Sequence, residues 1–156
     1  MTGRGLLLAE LERIARSCCH IIRLAEPQHF DFAPQRNMRT LHELANHLAQ
    51  IPLVDLRILG GAKQDEVQEL EENLRREDAE AWCALLREGY SEVRRYMESL
   101  TFDAFENSSG TAFYGRTQTN AQWLLEIITH LYHHRSQLFT YLKLLGYPVN
   151  TKTLYE

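Results

Sequence analysis

The chain has little cysteine: three residues in 156, Cys18, Cys19 and Cys83, an odd number with no C-x-x-C spacing. That pattern excludes a disulfide framework and fits a reducing cytoplasm, the expected location. Long apolar runs are missing too. The opening MTGRGLLLAE meets Glu10 almost at once, and no stretch approaches the roughly 18 to 20 apolar residues of a membrane span. A soluble, unexported protein is expected. Positive charge is also short: 17 basic against 21 acidic residues give a formal charge of −4, so no general positive field is available to hold a phosphate backbone or an anionic membrane. Nucleic acid and membrane are therefore not expected partners. No repeat or low-complexity tract appears. What is present is 44% apolar content in 156 residues, enough for one buried core and a single domain over 1–156.

Proline, glycine and capping residues cut the chain into four helical segments. The first runs from about Gly5 to Glu26, with Leu7, Leu8, Leu11, Ile14, Cys18, Ile21 and Ile22 at 3 and 4 spacing, and Pro27 ends it. The second starts at a T-x-x-E capping box, Thr40 and Glu43, carries Leu41, Leu44, Leu48, Ile51, Ile58 and Leu59, and stops at Gly60-Gly61. A third begins near Asp78, with Trp82, Leu85, Leu86, Val93, Tyr96, Met97 and Leu100, and Gly89 weakens it slightly. The fourth opens on a capping box at Thr119 and Gln122 and reaches Leu145, where Gly146 and Pro148 stop it. Nothing between them sustains a period of two, so the fold class expected is all-α, a four-helix bundle with long loops. Those connections, about 13 to 18 residues each, exceed bundle norms and are expected to hold short helices or functional segments. Residues 64–75 form one such helix with a solvated charged face. In 102–118, Phe102, Phe105, Phe113 and Tyr114 are too apolar for a free loop and fold over one bundle end, as a lid or as satellite core.

Seven histidines are the compositional anomaly. At about 100° per residue, with Ile127 at the centre of the fourth helix's apolar stripe, His134 lies about 20° off centre and His130 about 60° off, one turn earlier. His133, near 120°, faces the rim. With Leu44 as centre of the second helix, His47 falls about 60° out, on the stripe's edge, while His42 points to solvent. His20 lies off the first helix's apolar face and His29 sits in a Pro-bounded loop. The functional reading is a metal site of His47, His130 and His134. Neutral imidazoles suit Zn, Ni, Cu or Fe(II), and three protein ligands leave a position open for water or substrate. Spacing alone is weak, because chance yields about 0.3 such i,i+4 pairs in a chain of this composition. The alternative is satisfied core histidines.

The segments MRTLHELANHLAQIP and IITHLYHHRSQLFTYLKLLGYP resemble the DinB/YfiT-like family of four-helix metalloenzymes. The resemblance covers almost the whole chain and rests on His47 early in the second helix and on His130, His134, Arg135, Gln137 and Leu138 in the H-x-x-x-H-R-x-Q-[LI] string. It implies a divalent metal, nickel or zinc, on His47, His130 and His134, frequently a homodimer, and a bundle whose connections differ from the up-down order. It also implies thiol S-transfer with bacillithiol or a similar low-molecular-weight thiol, or thiol-dependent isomerisation, for some relatives.

Other residues read as structural. Asp55, inside the second helix's stripe, needs a buried partner such as an arginine or tyrosine and lies about 12 Å along the axis from His47, too far to share its metal. Pro52 is expected to kink that helix. Gln50 and Gln137 stand one turn after His47 and His134, where each can hydrogen-bond behind a ligand. Arg135 points away from the metal side as an ion-pair residue. Cys18 and Cys83 are small core residues, Trp82 and Trp123 core aromatics, and no Ser-His-Asp or Cys-His signature appears. Two functions fit. In the first, a bound metal lowers the pKa of an incoming thiol or water, which attacks an electrophilic small molecule by thiol transfer or hydrolysis; no side chain is assigned as catalytic. In the second, the bundle only binds a metal or ligand as a non-enzymatic stress protein.

Overall fold

The computed structural model describes residues 2–155. Four long helices dominate: α1 (Gly3–Leu24), α2 (Leu41–Leu59), α4 (Ala79–Ser99) and α6 (Asn120–Leu144). Their starts follow the local chemistry. The Thr40 hydroxyl accepts from the Glu43 N–H at 3.1 Å while the Glu43 carboxylate accepts from the Thr40 N–H at 2.8 Å. Thr119 and Gln122 repeat the reciprocal box at α6, and Asp78 caps α4. The first helix is displaced from expectation by two residues. The Thr2 hydroxyl caps it by accepting from Gly5 N–H, and the chain turns extended at Ala25, before Pro27 is reached.

Between these lie α3 (Gln64–Asn73), the helix expected in the second connection, α5 (Phe102–Asn107) and α7 (Thr151–Tyr155). A hairpin of β1 (Ser109–Thr111) and β2 (Thr117–Thr119) pairs Gly110 with Gln118. The all-α expectation missed this hairpin, because strands of three residues are too short to show alternation. Gly110 is required there: a Cβ on it would lie 2.6 Å from the Leu59 carbonyl oxygen, so the hairpin rests directly on the end of α2.

Each of α1 and α2 packs against both α4 and α6, while α4 and α6 barely meet. Successive helices therefore sit on diagonals, α1 across from α2 and α4 across from α6, which differs from an up-down bundle. The core is continuous through Leu11, Ile14, Leu44, Leu48, Trp82, Leu85, Trp123 and Leu131, all essentially unexposed. Gly89 permits the closest approach of α2 and α4, since a Cβ there would meet the Pro52 Cβ at 2.9 Å. Pro52 itself lies within an unbroken α2. Among the described residues no helix is long and apolar enough to cross a membrane.

Candidate metal centre

The adjacency of α2 and α6 brings together the three histidines singled out in the sequence. Ligand-capable nitrogens of His47, His130 and His134 all lie within 4.8 Å of one another, a spacing that can hold a metal ion. The Nε2 atoms of His47 and His134 are 3.0 Å apart. His134 is buried, and His47 and His130 are partly exposed.

The groups behind the rings fix their tautomers. The Asp55 carboxylate accepts from His130 Nδ1 at 2.9 Å. The Gln137 side-chain oxygen accepts from His134 Nδ1 at 2.8 Å, while its amide nitrogen donates to His133 Nε2 at 3.2 Å. With Nδ1 protonated on both rings, the Nε2 atoms of His130 and His134 carry lone pairs, as a cation needs. Burial keeps the His134 and His47 rings neutral. It pushes the His134 pKa down to about 4 from 6.5, the Gln137 bond partly offsetting it. For His47, burial first and the Arg39 charge second push it down to about 3. Two neutral imidazoles, His47 and His134, and a third whose Nδ1 is held by Asp55 are a donor set that fits a divalent cation.

Asp55 therefore has a histidine partner, not the arginine or tyrosine expected. The pairing of His47 with His134 and of Asp55 with His130 shows that α2 and α6 run in opposite directions, so a residue two turns beyond His47 meets one a turn before His134. Gln137 stands behind its ligand as expected. Gln50 does not, because it donates to the Glu71 carbonyl at 3.0 Å and ties α3 to α2. Arg135 is not an ion-pair residue: it is buried, donates to the Ser17 hydroxyl and the Leu154 carbonyl, and lies against the Tyr132 ring. Of the remaining histidines, His133 is exposed at the rim, His42 meets Glu77 at 3.0 Å, and His29 bonds the Tyr147 hydroxyl. All three cysteines are buried, and burial pushes the Cys18 thiol up to about 12, which removes it as a nucleophile.

A cavity of about 510 Å³ opens beside His47 and His130. Ile51, Val54, Ile58, Val67, Phe113 and Trp123 form its apolar wall, and Asp55, Glu71 and Glu126 its charges; no lysine or arginine lines it among the described residues. The 102–118 segment is thus both alternatives in part: Phe105 is core and Phe113 and Tyr114 line the cavity, whereas Phe102, expected to fold over with them, is exposed. Glu71 was hidden in a charge run read as solvated. Its carboxyl is half-buried against the cavity, and burial raises its pKa above the usual carboxylate range.

The sequence model of the DinB family matches residues 2–155. The chain belongs to the DinB family. Solved members share its architecture. A DinB family protein from Exiguobacterium sibiricum is 31% identical, with 98% of each chain covered and a TM-score of 0.84. A DinB-like protein from Bacillus cereus is 18% identical over 92% of this chain and 93% of its own, TM-score 0.73. YfiT from Bacillus subtilis, 15% identical over 92% of this chain and 88% of its own, has a TM-score of 0.73 and is described as a probable metal-dependent hydrolase with an unusual four-helix bundle topology. The diagonal order of α1, α2, α4 and α6 places this DinB chain in the same topology. None of the curated proteins matches it.

Proposed function

We propose that this DinB protein is a metal-dependent enzyme that transfers a low-molecular-weight thiol to an electrophilic small molecule. The observation that carries the proposal is a triad of imidazoles, two with Nδ1 held by Asp55 and Gln137, of which His47 and His130 open onto a cavity of about 510 Å³. A sealed triad would favour a merely structural or storage role. A divalent cation held by His47, His130 and His134 would lower the pKa of a thiol or water and supply the nucleophile at neutral pH. The thiol gives up its proton, a sulfur–carbon bond forms, and the leaving group departs with its electron pair. The apolar wall suits an uncharged electrophile. Zinc or nickel is the proposed cation and a homodimer the proposed working form, both from the family resemblance; the cytoplasm is the proposed location, from the sparse cysteines. The description of YfiT favours a second reading, hydrolysis with water in place of the thiol.

Metal analysis of the purified protein beside His130→Ala and His134→Ala tests the site: both variants are expected to lose the metal, and equal content in all three refutes it. Turnover of an electrophile with and without several thiols, in Zn, Ni and Mn forms, separates transfer from hydrolysis. Thiol-independent turnover would overturn the first reading in favour of the second.

A further inference from the structure

Two of the three cysteines face each other across the packed helices α1 and α4. The Cys19 thiol donates to the Cys83 carbonyl at 3.8 Å, and the Cys83 thiol donates to the Cys19 carbonyl at 3.6 Å. This reciprocal contact brings the two sulfurs within hydrogen-bond reach of one another. Cys18 is turned about 100° away on the same helix and is fully enclosed.

The pair is open on one side. A cleft of about 470 Å³ between α1 and α4 has Cys19 in its wall but not Cys83, and it shares no lining residue with the cavity at the histidine triad. Cys19 accordingly keeps 5% exposure and Cys83 none. Three arginines, Arg16, Arg23 and Arg87, line the cleft beside Cys19, against one carboxylate, Glu12. The guanidinium of Arg23 is fixed, donating to both carboxylate oxygens of Glu80 at 2.6 and 3.0 Å.

These surroundings divide the roles of the two sulfurs. The bond from Cys83 first, and the charges of Arg23 and Arg87 after it, pull the Cys19 thiol below the ordinary thiol range against the opposing effect of burial. Cys83, the donor of that bond, is pushed up. The sulfur that meets the cleft is thus the one stabilised as thiolate, and the deeper sulfur keeps its proton. An accessible thiolate with a second thiol behind it is the arrangement of an attacking and a resolving cysteine.

We propose that Cys19 and Cys83 form a redox site, separate from the metal centre, at which a hydroperoxide closes a reversible disulfide between α1 and α4. The Cys19 thiolate attacks the terminal peroxide oxygen. A sulfur–oxygen bond forms, the oxygen–oxygen bond breaks, and the departing alkoxide or hydroxide takes a proton from solvent. The Cys83 sulfur then attacks the Cys19 sulfenic acid; the sulfur–sulfur bond forms and the hydroxyl leaves as water with the Cys83 proton. Two thiols have lost two electrons, and the peroxide has gained them. The bond would tie residues 64 apart in the chain, and an external dithiol would reopen it by exchange.

The test treats the whole purified chain with hydrogen peroxide, quenches with catalase, and counts free thiols before mapping unreduced peptides by mass spectrometry. The count is expected to fall from three to one, with Cys19 linked to Cys83 in the same chain and Cys18 free, and to return to three with dithiothreitol. Cys18→Ser is expected to lose both of its thiols under the same treatment. Cys83→Ser is expected to stop at the Cys19 sulfenic acid, trapped by dimedone, and Cys19→Ser to keep both remaining thiols. A parent chain that keeps all three thiols until urea unfolds it overturns the site. So does a bond that includes Cys18 or joins two chains, or a parent whose Cys19 stays at the sulfenic acid. These outcomes are read on the unsubstituted chain, so a variant that fails to fold does not shelter the proposal.

Discussion

Asp55 offers the sharpest handle on the metal centre, because it acts on the triad without being part of it. Its buried carboxylate accepts one hydrogen bond from His130 Nδ1 at 2.9 Å, orienting the ring and raising the basicity of Nε2. Asp55→Asn keeps the size and, through its amide oxygen, the acceptor; what it loses is the charge, which makes such a bond roughly twice as strong as a neutral one. Asp55→Ala removes the acceptor as well and lets the His130 ring turn. Groups behind metal-ligating histidines are worth about tenfold to a hundredfold in metal affinity, or about 1.4 to 2.7 kcal/mol. The asparagine variant is expected near the lower figure and the alanine variant near the upper. Competition for zinc against a chromophoric chelator measures both, with thermal melting of the metal-free proteins to exclude gross unfolding. An alanine variant that binds zinc within twofold of the parent would refute the assignment. If the two variants lost equal affinity, the charge alone would carry the effect and the acceptor kept by asparagine would add nothing.

The histidine pKa values make the metal-free fold sensitive to acid. Burial holds His47 at about 3 and His134 at about 4, below the 6.5 of an unfolded chain. Protons therefore enter the unfolded state first, and the stability present above pH 6.5 is lost as pH falls toward 4. At pH 5 the loss is up to about 2 kcal/mol for each histidine. Urea unfolding at pH 7.5 and 5 checks this, and a His47→Asn, His134→Asn double variant with an equally steep pH dependence would contradict it. At the opposite face of α2, Gly89→Ala gains about 1 kcal/mol of helix propensity but forces a Cβ to 2.9 Å from Pro52 and 3.2 Å from Leu53 Cγ. Overpacking costs about 1 to 3 kcal/mol, so a net loss of about 1 kcal/mol is expected. A higher melting temperature for the variant would show that the two helices can move apart.

Features set by neighbours in the chain were legible; those set by distant contacts were not. The Thr40–Glu43 and Thr119–Gln122 boxes each involve residues three apart, and the structure forms both. Helical periodicity likewise placed His47, His130 and His134 on facing edges of two apolar stripes, and the structure brings them within 4.8 Å. It also placed Asp55 correctly inside the stripe of α2. Its partner could not be read, because that depends on the direction and offset of α6. Arg135 failed for a similar reason. The stripe angle turned it away from the triad, but the space on that side belongs to α1 and to the terminal helix α7, whose Leu154 carbonyl it meets. A carbonyl partner leaves no charge pattern in a sequence.

The diagonal order of the bundle is what gives the triad two approaches. In an up-down bundle, short turns join neighbouring helices and leave little chain to cover the ends. Here the chain crosses a diagonal twice, from α1 to α2 and from α4 to α6, and each crossing needs a long connection. The first carries Arg36 and Arg39 to a second cleft on one side of His47; the second carries the hairpin, with Phe113 and Tyr114, to the cavity on the other. Meanwhile α3, tied down by Gln50 on the Glu71 carbonyl, forms a wall common to both spaces. The lengths of these connections are therefore a property of the site as much as of the fold. Shortening either would leave the histidines on their helices and remove one of the two surfaces that face them.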